Sequence, residues 1–456
     1  MAFKSAIFRE YDIRGIYEQQ FDLDFATQLG RAIVTFFAKH SGNKTPTISL
    51  GHDARLSSPA ITNALANGIL SCGANVTRLG LVTTPISYFS TFAINGIDGA
   101  VMITGSHNPP EYNGFKISVG KSTIFGSDIK TLEKIINDKD FLTGSGKENS
   151  LDIFPTYLAR YEKEFGQLKS IPLVLDCANG AAGCIARKLY EVVGLKPTIL
   201  FEEPDGTFPN HHPDPTVEEN LTDLIKKVQE TKSRIGIGFD GDADRIGIVD
   251  EEGKMIYGDE LIALCARFIL ADNPGQKIIG DVKCSDRLYD YISKYGGIPI
   301  MWKTGHSLIK EKIKVEKSPF GGELSGHIFF ADRNYGYDDS LYAGLRVVEI
   351  LSKTGKSVRE LLKDLPPAYN TPEIRINTTE EKKIKIVEAL RAHFSKDSDQ
   401  YKVNLIDGIR ISFKNGWALA RASNTQPVLV LRFESSTQSG LEEIQNKIES
   451  IVNPLL

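Results

Sequence analysis

Hydrophobic and polar positions fall into blocks along the chain, and one order of blocks occurs three times. An apolar run at 48–51 predicts a short strand. A polar loop follows at 52–58, then a helix at 59–71, Gly73, and a second strand at 75–79. The order returns as strand 173–175, polar loop 176–180, helix 181–193, Gly194 and extended chain 197–201. It returns again as strand 277–282, polar loop 283–286, helix 287–295, Gly296-Gly297 and strand 298–302. A glycine just past a helix supplies the left-handed residue that closes its C-terminus. Strand, loop, helix, glycine and strand together make the βαβ unit of a mostly parallel sheet. Three copies spaced by about a hundred residues predict three related α/β domains with mixed, mostly parallel sheets. The C-terminal pattern differs. Segments 374–377, 408–413, 417–421 and 428–433 alternate, with Asn415-Gly416 as a two-residue hairpin turn, and 441–452 is an amphipathic helix. That predicts a small, mostly antiparallel α+β domain behind a linker at 363–372, which carries Pro366, Pro367 and Pro372.

With 456 residues the chain has room for about three domains by length alone. A net charge of -4 argues against generic nucleic-acid binding, which needs basic faces, and leaves room for a local cationic pocket for a small anion. The five cysteines are odd in number and lack C-x-x-C spacing. Cys72, Cys177 and Cys265 lie among apolar residues, which predicts buried free thiols in a reducing compartment. The N-terminal MAFKSAIFREYDIRG has no apolar core for a signal peptide, and no run of about 18 apolar residues offers a membrane span. The expectation is a cytoplasmic protein, monomeric or weakly oligomeric, with no membrane or nucleic-acid partner.

Four stretches carry candidate chemistry. The first is VMITGSHNPPEYNGFK at 101–116, where a buried strand at 100–103 ends abruptly. Asn108 precedes Pro109 and is steered away from helix, so Ser106 falls on a tight loop at a strand end. Its hydroxyl either satisfies a local backbone N–H or is a nucleophile. The G-x-S-x-G elbow is absent and the only adjacent imidazole is His107, so acyl transfer is not supported. The second is RIGIGFDGDADRIGIVD at 234–250. Asp240, Asp242 and Asp244 sit between two apolar runs, and three close carboxylates call for a divalent cation with oxygen ligands, Mg²⁺. An EF-hand loop is excluded because Arg245 stands where its glycine belongs and the flanks are strands. The third is FGGELSGHIFF at 320–330, where Glu323 and Ser325 suit the vicinal hydroxyls of a sugar; the alternative is a glycine-rich turn whose His327 bonds the backbone. The fourth is RASNTQP at 421–427 with Arg432 beyond it. Arg421, Ser423, Asn424 and Thr425 fit a phosphate cradle, against a capped surface turn. Lys283 and His306 follow repeat strands at their C-terminal ends, where open α/β sheets bind ligands. Taken alone, the polar stretch 8–15 reads as a surface loop with salt bridges.

A hydroxyl acceptor, a metal cluster, a hydroxyl-reading loop and a phosphate cradle form the set that phosphoryl transfer on a sugar phosphate requires. The chain resembles the α-D-phosphohexomutase family, most closely its bacterial phosphomannomutase/phosphoglucomutase branch. TGSHNP at 104–109 is similar to the phosphoserine loop, DGDADR at 240–245 to the metal loop, GGELSGH at 321–327 to the sugar-specificity loop, and RASNTQP at 421–427 to the phosphate loop. All four lie in family order.

The resemblance implies four domains around a central cleft: 1–150 with the phosphoserine, 151–255 with the metal, 256–366 with the sugar site and 367–456 with the phosphate site. It implies that Ser106 is carried as phosphoserine and joins Asp240, Asp242 and Asp244 on Mg²⁺. Arg245 and Lys116 would stabilise the transferring group, with Lys116 or His306 as acid/base. Tyr11, Arg14 and Lys283 would line the site, Glu323 and Ser325 would grip two sugar hydroxyls, and His327 would support that loop or the phosphate. A hexose 1-phosphate would become the 6-phosphate through a hexose 1,6-bisphosphate, which also serves as activator. Leu324 stands where Met is frequent and Gln426 where Thr is common; neither removes a polar role. Mannose and glucose differ only at C2, so a loop gripping other hydroxyls is expected to accept both. The alternatives are a phosphoglucosamine mutase, an inert sugar-phosphate binding protein, and a metal-adjacent serine phosphatase.

Overall fold

The structure is a computed structural model that describes residues 3–395, 401–423 and 427–456. These residues form four sheets. The first three repeat one topology. In the first, Thr47–His52 is central, with Asn75–Leu81 parallel on one side and Gly99–Ile103 parallel on the other; Tyr112–Val119 then pairs antiparallel with Gly99–Ile103. In the second the corresponding strands are Leu173–Asp176, Thr198–Leu200, Ile235–Phe239 and Ile246–Asp250. In the third they are Lys277–Asp281, Ile298–Trp302, Phe320–Gly322 and Ile328–Phe330. The internal repeat is thus a repeat of strand order, and Gly73, Gly194 and Gly296 all adopt the positive φ that helix closure needs.

The third strand and its antiparallel successor are joined by a short loop in every copy. Those three loops carry Ser106, the Asp240–Asp242–Asp244 triplet, and Glu323 with His327. Three of the four chemical motifs therefore occupy the same place in three copies of one unit.

The fourth sheet is wholly antiparallel, with Val428–Ser435 at its centre beside Gly416–Ala422 and Ile374–Asn377. Phe413 pairs with Gly416, so the hairpin turn is Lys414-Asn415 and not Asn415-Gly416. Gly416 serves close strand approach instead: a Cβ there would lie 2.0 Å from the Glu434 carbonyl oxygen. The expected linker is partly structured, because Tyr369–Asn370 forms an edge strand on Val428–Ser435. The helix expected at 181–193 divides into a 3₁₀ turn, Ala181–Cys184, and a helix, Ala186–Val192. Between them Ile185 leaves helical angles, with φ −141°.

The first sheet has its own core of Phe25, Leu29, Ile33, Leu65, Val101 and Phe115, among others. The second and third share one core, into which the helix Thr84–Ala93 of the first also packs. The fourth has a separate core around Leu390, Ile409, Leu429 and Ile444. Val282 meets Trp417 and Leu419 at its joint with the third. This division leaves a cavity of about 690 Å³ where all four units meet. No helix among the described residues is long and apolar enough to cross a membrane. Cys72, Cys177, Cys265 and also Cys284 are buried free thiols.

Candidate active site

The Ser106 loop is held by two side chains from the loop after the central strand. Asp53 accepts from the Thr104 hydroxyl at 2.8 Å and from the Gly105 N–H at 3.2 Å. Arg55, fully buried, donates to the carbonyls of Ser106 (2.7 Å), Asn108 (2.5 Å), Pro109 and Tyr112 (3.0 Å). A rigid planar fork that bonds four carbonyls fixes the course of the backbone. The loop needs fixing, because Ser106 sits at φ 50°, a conformation that non-glycine residues rarely adopt. Gly105 is required by contact, since a Cβ there would lie 2.5 Å from the Arg55 guanidinium carbon.

The acidic loop docks directly on this one. A Cβ at Gly241 would lie 2.5 Å from the Ser106 carbonyl oxygen, so only glycine permits the approach. Ser106 Oγ then donates to Asp240 Oδ2 at 2.9 Å across the boundary between the first two units. Asp240 Oδ1 accepts the N–H groups of Asp244 (3.0 Å) and Arg245 (3.1 Å), which curls the loop so that the carboxylates converge. Thr84 donates to Asp242 Oδ2 at 2.6 Å. Lys116 reaches both Asp242 Oδ2 (2.7 Å) and Asp244 Oδ2.

Asp240, Asp242 and Asp244 can each offer one oxygen to a common point, and all are buried. The Oδ1 atoms of Asp242 and Asp244 are buried without a hydrogen-bond partner. Three carboxylates against one lysine, with acceptor atoms left over, fit a hard divalent cation. Burial and the charges of Asp242 and Asp244 push the Asp240 carboxyl well above its ordinary pKa. Burial alone would lower the Lys116 pKa, but the neighbouring carboxylates outweigh it and hold it above the usual lysine value.

The third loop is joined to the strand end at 303–306. Glu323 accepts from Gly305 N–H with one oxygen and pairs with His327 Nδ1 at 2.7 Å with the other. Burial opposes protonation of His327, but Asp244 and Glu323 raise its pKa to about 9. Arg245 Nε lies 3.3 Å from His327 Nε2 and ties the second unit to the third. His306 begins the helix His306–Glu316 and has its Nδ1 3.4 Å from Asp338. Burial and Lys310 lower its pKa below the ordinary histidine value.

Tyr11 donates to the Thr304 carbonyl at 2.7 Å, and the Thr304 N–H donates to Asp407 Oδ2 at 3.2 Å. The same oxygen accepts Arg421 Nε at 3.1 Å and Nη2 at 3.0 Å. Thr304 thus joins the first, third and fourth units. Lys283 pairs with Glu373 at 2.8 Å across the joint of the third and fourth. Arg421, Ser423 and Arg432 face the cavity, as do Tyr11, Arg14 and Ser325. Asn424 and Thr425 lie outside the described residues. The stretch 8–15 is not a free surface loop: Ile13–Ile16 is an edge strand, and Asp12 is buried and paired with Arg14.

Four profiles of the phosphoglucomutase/phosphomannomutase family match the chain. They are alpha/beta/alpha domains I, II and III at residues 5–143, 155–253 and 257–369, and the C-terminal domain at 373–451. A phosphomannomutase/phosphoglucomutase of Pseudomonas aeruginosa is 43% identical over 443 residues, covering 97% of this chain and 94% of that protein. The chain belongs to the phosphoglucomutase/phosphomannomutase family. A phosphoglucomutase of Neisseria gonorrhoeae is 43% identical over 457 residues, covering 99% and 98%. The solved structure of a phosphoglucomutase/phosphomannomutase family protein from Burkholderia thailandensis superposes with a TM-score of 0.92 at 41% identity, covering 100% of this chain and 98% of that one. An N-acetylphosphoglucosamine mutase of Aspergillus fumigatus, solved with GlcNAc-6P and magnesium, shares the fold at 16% identity and a TM-score of 0.57, covering 82% and 93%.

Within this family site, sequence reasoning missed Arg55, Asp53, Thr304, Glu373, Asp407 and Asp338. Asp53 and Arg55 had a usable signal, since they fall in the polar loop of the first repeat, the position that Lys283 occupies in the third. Asp407 and Glu373 had none, because their partners are remote in sequence.

Proposed function

We propose that this chain is a phosphomannomutase/phosphoglucomutase, interconverting hexose 1-phosphate and hexose 6-phosphate through phospho-Ser106 and a hexose 1,6-bisphosphate. The observation that carries this reading is the Ser106 hydroxyl on Asp240 at 2.9 Å, in a cavity whose fourth-unit wall presents Arg421. Relatives at 43% identity over nearly the whole chain bear that name. We assign the phosphoserine to domain 1–150, the metal to 151–255, the sugar loop to 256–366 and phosphate docking to 367–456.

Ser106 carries the phosphoryl group, and the fork of Arg55 aims it. Asp240, Asp242 and Asp244 would hold Mg²⁺, which would supply charge neutralisation for the transferring group. Arg245 and Lys116 add fixed positive charge beside it, in a buried site where electrostatics are strong. Lys116 is held protonated by the carboxylates it pairs with, so it stabilises charge on the transferring group. His306, neutral at pH 7, is the group able to accept a proton from the sugar hydroxyl. The distal phosphate docks on Arg421, Ser423 and Lys283, with Asn424 and Thr425 assigned from the motif. Glu323 and Ser325 take two sugar hydroxyls, and His327 keeps Glu323 oriented and adds charge for phosphate. Tyr11 and Arg14 line the same cavity, Tyr11 through its bond to the Thr304 carbonyl. After the first transfer the bisphosphate turns over in the cleft, so that one docking site serves both phosphates, and the other phosphate returns to Ser106. Added hexose 1,6-bisphosphate activates by phosphorylating idle Ser106.

Phosphorus NMR tests the reading, with Mg²⁺ and a trace of hexose 1,6-bisphosphate. Mannose 1-phosphate and glucose 1-phosphate should both become 6-phosphates without release of inorganic phosphate. Conversion of glucosamine 1-phosphate alone would replace it with the amino-sugar mutase, and net phosphate release with a phosphatase.

A further inference from the structure

The segment 203–216 of the second unit braces two of the loops described above. Near its start it meets the first unit. A Cβ at Gly206 would lie 2.4 Å from the Ala54 carbonyl oxygen, and the Phe208 ring sits 5.1 Å from the guanidinium carbon of Arg55, the fork that holds the Ser106 loop. Near its end it lies on the acidic hairpin, where a Cβ at Gly247 would lie 2.3 Å from the Pro215 carbonyl oxygen. His212, Asp214 and Thr216 face the cavity. Burial would lower the Arg245 pKa, and Asp214 leads the carboxylates that raise it. The segment contains no helix or strand, so side chains must hold its course.

His211 is one of those side chains. Its Nε2 lies 3.1 Å from Oδ2 of Asp176, the last residue of the central strand Leu173–Asp176. Its Nδ1 lies 3.0 Å from the His212 carbonyl oxygen, which also accepts the Asp214 N–H at 2.8 Å. A carboxylate and a carbonyl only accept, so both ring nitrogens must donate, and only the imidazolium has two N–H groups. The surroundings favour that charge. Burial opposes it, but Asp176, the His212 carbonyl and Asp223 on the helix Thr222–Thr231 raise the His211 pKa above the ordinary histidine value. The adjacent His212 ring has its own pKa lowered, chiefly by burial. The Phe201 ring meets His211 edge to face at 5.3 Å.

We propose that His211 is a positioning residue for phosphoryl transfer: as an imidazolium it ties the segment 203–216 to the second sheet, and loss of its proton releases one of its two bonds and lowers turnover. The neutral ring turns a bare nitrogen lone pair on an oxygen acceptor, at Asp176 or at His212, whichever tautomer it takes. The segment then loosens where it carries Asp214 to Arg245 and Phe208 to Arg55. Positioning rests on the mutase reading above; the doubly bonded imidazolium does not.

The test pairs NMR of the full chain labelled with ¹⁵N-histidine with the pH profile of kcat. At neutral pH both ring nitrogens of His211 should carry protons, and one should leave above the ordinary histidine value of about 6.5. Wild-type kcat should fall on the alkaline side with that titration. His211→Gln assigns the signals and replaces two opposed donors with one amide; kcat should drop about 10-fold or more, and the fall set by His211 should vanish. Asp176→Asn is the discriminating variant. Its oxygen can keep the Ala178 N–H that Asp176 Oδ1 accepts, while its amide donates to a neutral Nε2 and Nδ1–H keeps the His212 carbonyl. It should hold a neutral His211, retain kcat near wild type at neutral pH, and lose that alkaline fall. If His211→Gln does not fold, the signal moved by Asp176→Asn gives the assignment. A neutral His211 in the wild type at neutral pH overturns the proposal, as does a kcat that ignores its titration. A cationic His211 in a chain that converts no phosphosugar would overturn the mutase reading and leave the bridge standing.

Discussion

Ser106 Oγ lies 2.9 Å from Asp240 Oδ2, although the two residues belong to different sheets and are 134 positions apart. The approach is possible because Gly241 lets the acidic loop rest on the Ser106 carbonyl. The hydroxyl and the cation site are therefore built as one object from two copies of the same hairpin. Ser106→Ala should lower turnover about 10³-fold or more while the melting temperature stays close to wild type, since one hydroxyl is lost and Asp53 and Arg55 still hold the loop. Steady-state kinetics with thermal unfolding checks both halves. Near-normal turnover would remove Ser106 from the mechanism.

Arg55 predicts a positioning effect. Arg55→Met removes donors from four carbonyls of the Ser106 loop and leaves Asp53 buried without its cation. The cost should be about 3–5 kcal/mol of stability, with a large fall in kcat. Arg55→Lys should recover charge but not the fork, and so recover stability more than kcat. Equal recovery of both would argue that Arg55 only neutralises Asp53.

Three units of one strand order were legible in the sequence because βαβ blocks with closing glycines repeat visibly. Their most useful consequence was not legible. That the loops of Ser106, Asp240 and Glu323 are equivalent hairpins depends on which strand turns antiparallel, and all these strands are similarly apolar. The left-handed φ of Ser106 was hidden for a related reason: the cause is Arg55, fifty-one residues earlier. Motif residues were readable as chemistry, whereas their counter-ions Asp407 and Glu373 had no local pattern to betray them. The turn at 414–415 was misplaced because Gly416 looked like a turn glycine when its role is to admit Glu434.

Lys116 neutralises two buried carboxylates in the metal-free chain. Lys116→Met should therefore lower metal-free stability by about 3–5 kcal/mol, the usual penalty for leaving a buried charge unpaired. Mg²⁺ should restore more stability to the variant than to wild type, because it supplies the missing charge. Thermal unfolding across a Mg²⁺ titration checks this, and equal shifts in both proteins would contradict it.

The Lys283–Glu373 pair couples the third and fourth units to pH. Burial would raise the Glu373 pKa, but Lys283 brings it down to about 2 from the ordinary glutamate value of 4.5. A depressed carboxylate contributes stability that is fully present above about pH 4.5 and lost as pH falls through about 2. The contribution is up to about 3 kcal/mol. Glu373→Gln should remove it at neutral pH and make no difference near pH 2, as chemical denaturation at the two pH values would show. It should also free Lys283 for phosphate and lower KM.

Sugar choice follows from the third loop. Glu323 and Ser325 face the cavity in a fixed hairpin. Ser325→Ala should raise KM for mannose and glucose phosphates alike, with kcat changed less. A hundredfold or greater preference of the wild type for one epimer would contradict dual specificity.

The central claim is that Ser106 passes a phosphoryl group to and from the sugar. Peptide mass spectrometry of the chain charged with hexose 1,6-bisphosphate, before and after addition of unlabelled hexose 1-phosphate, tests it most directly. The account predicts one phosphate on Ser106 that exchanges into the sugar bisphosphate within a turnover. A chain that turns over with Ser106 unmodified, or with a phosphate that never leaves it, would contradict the account.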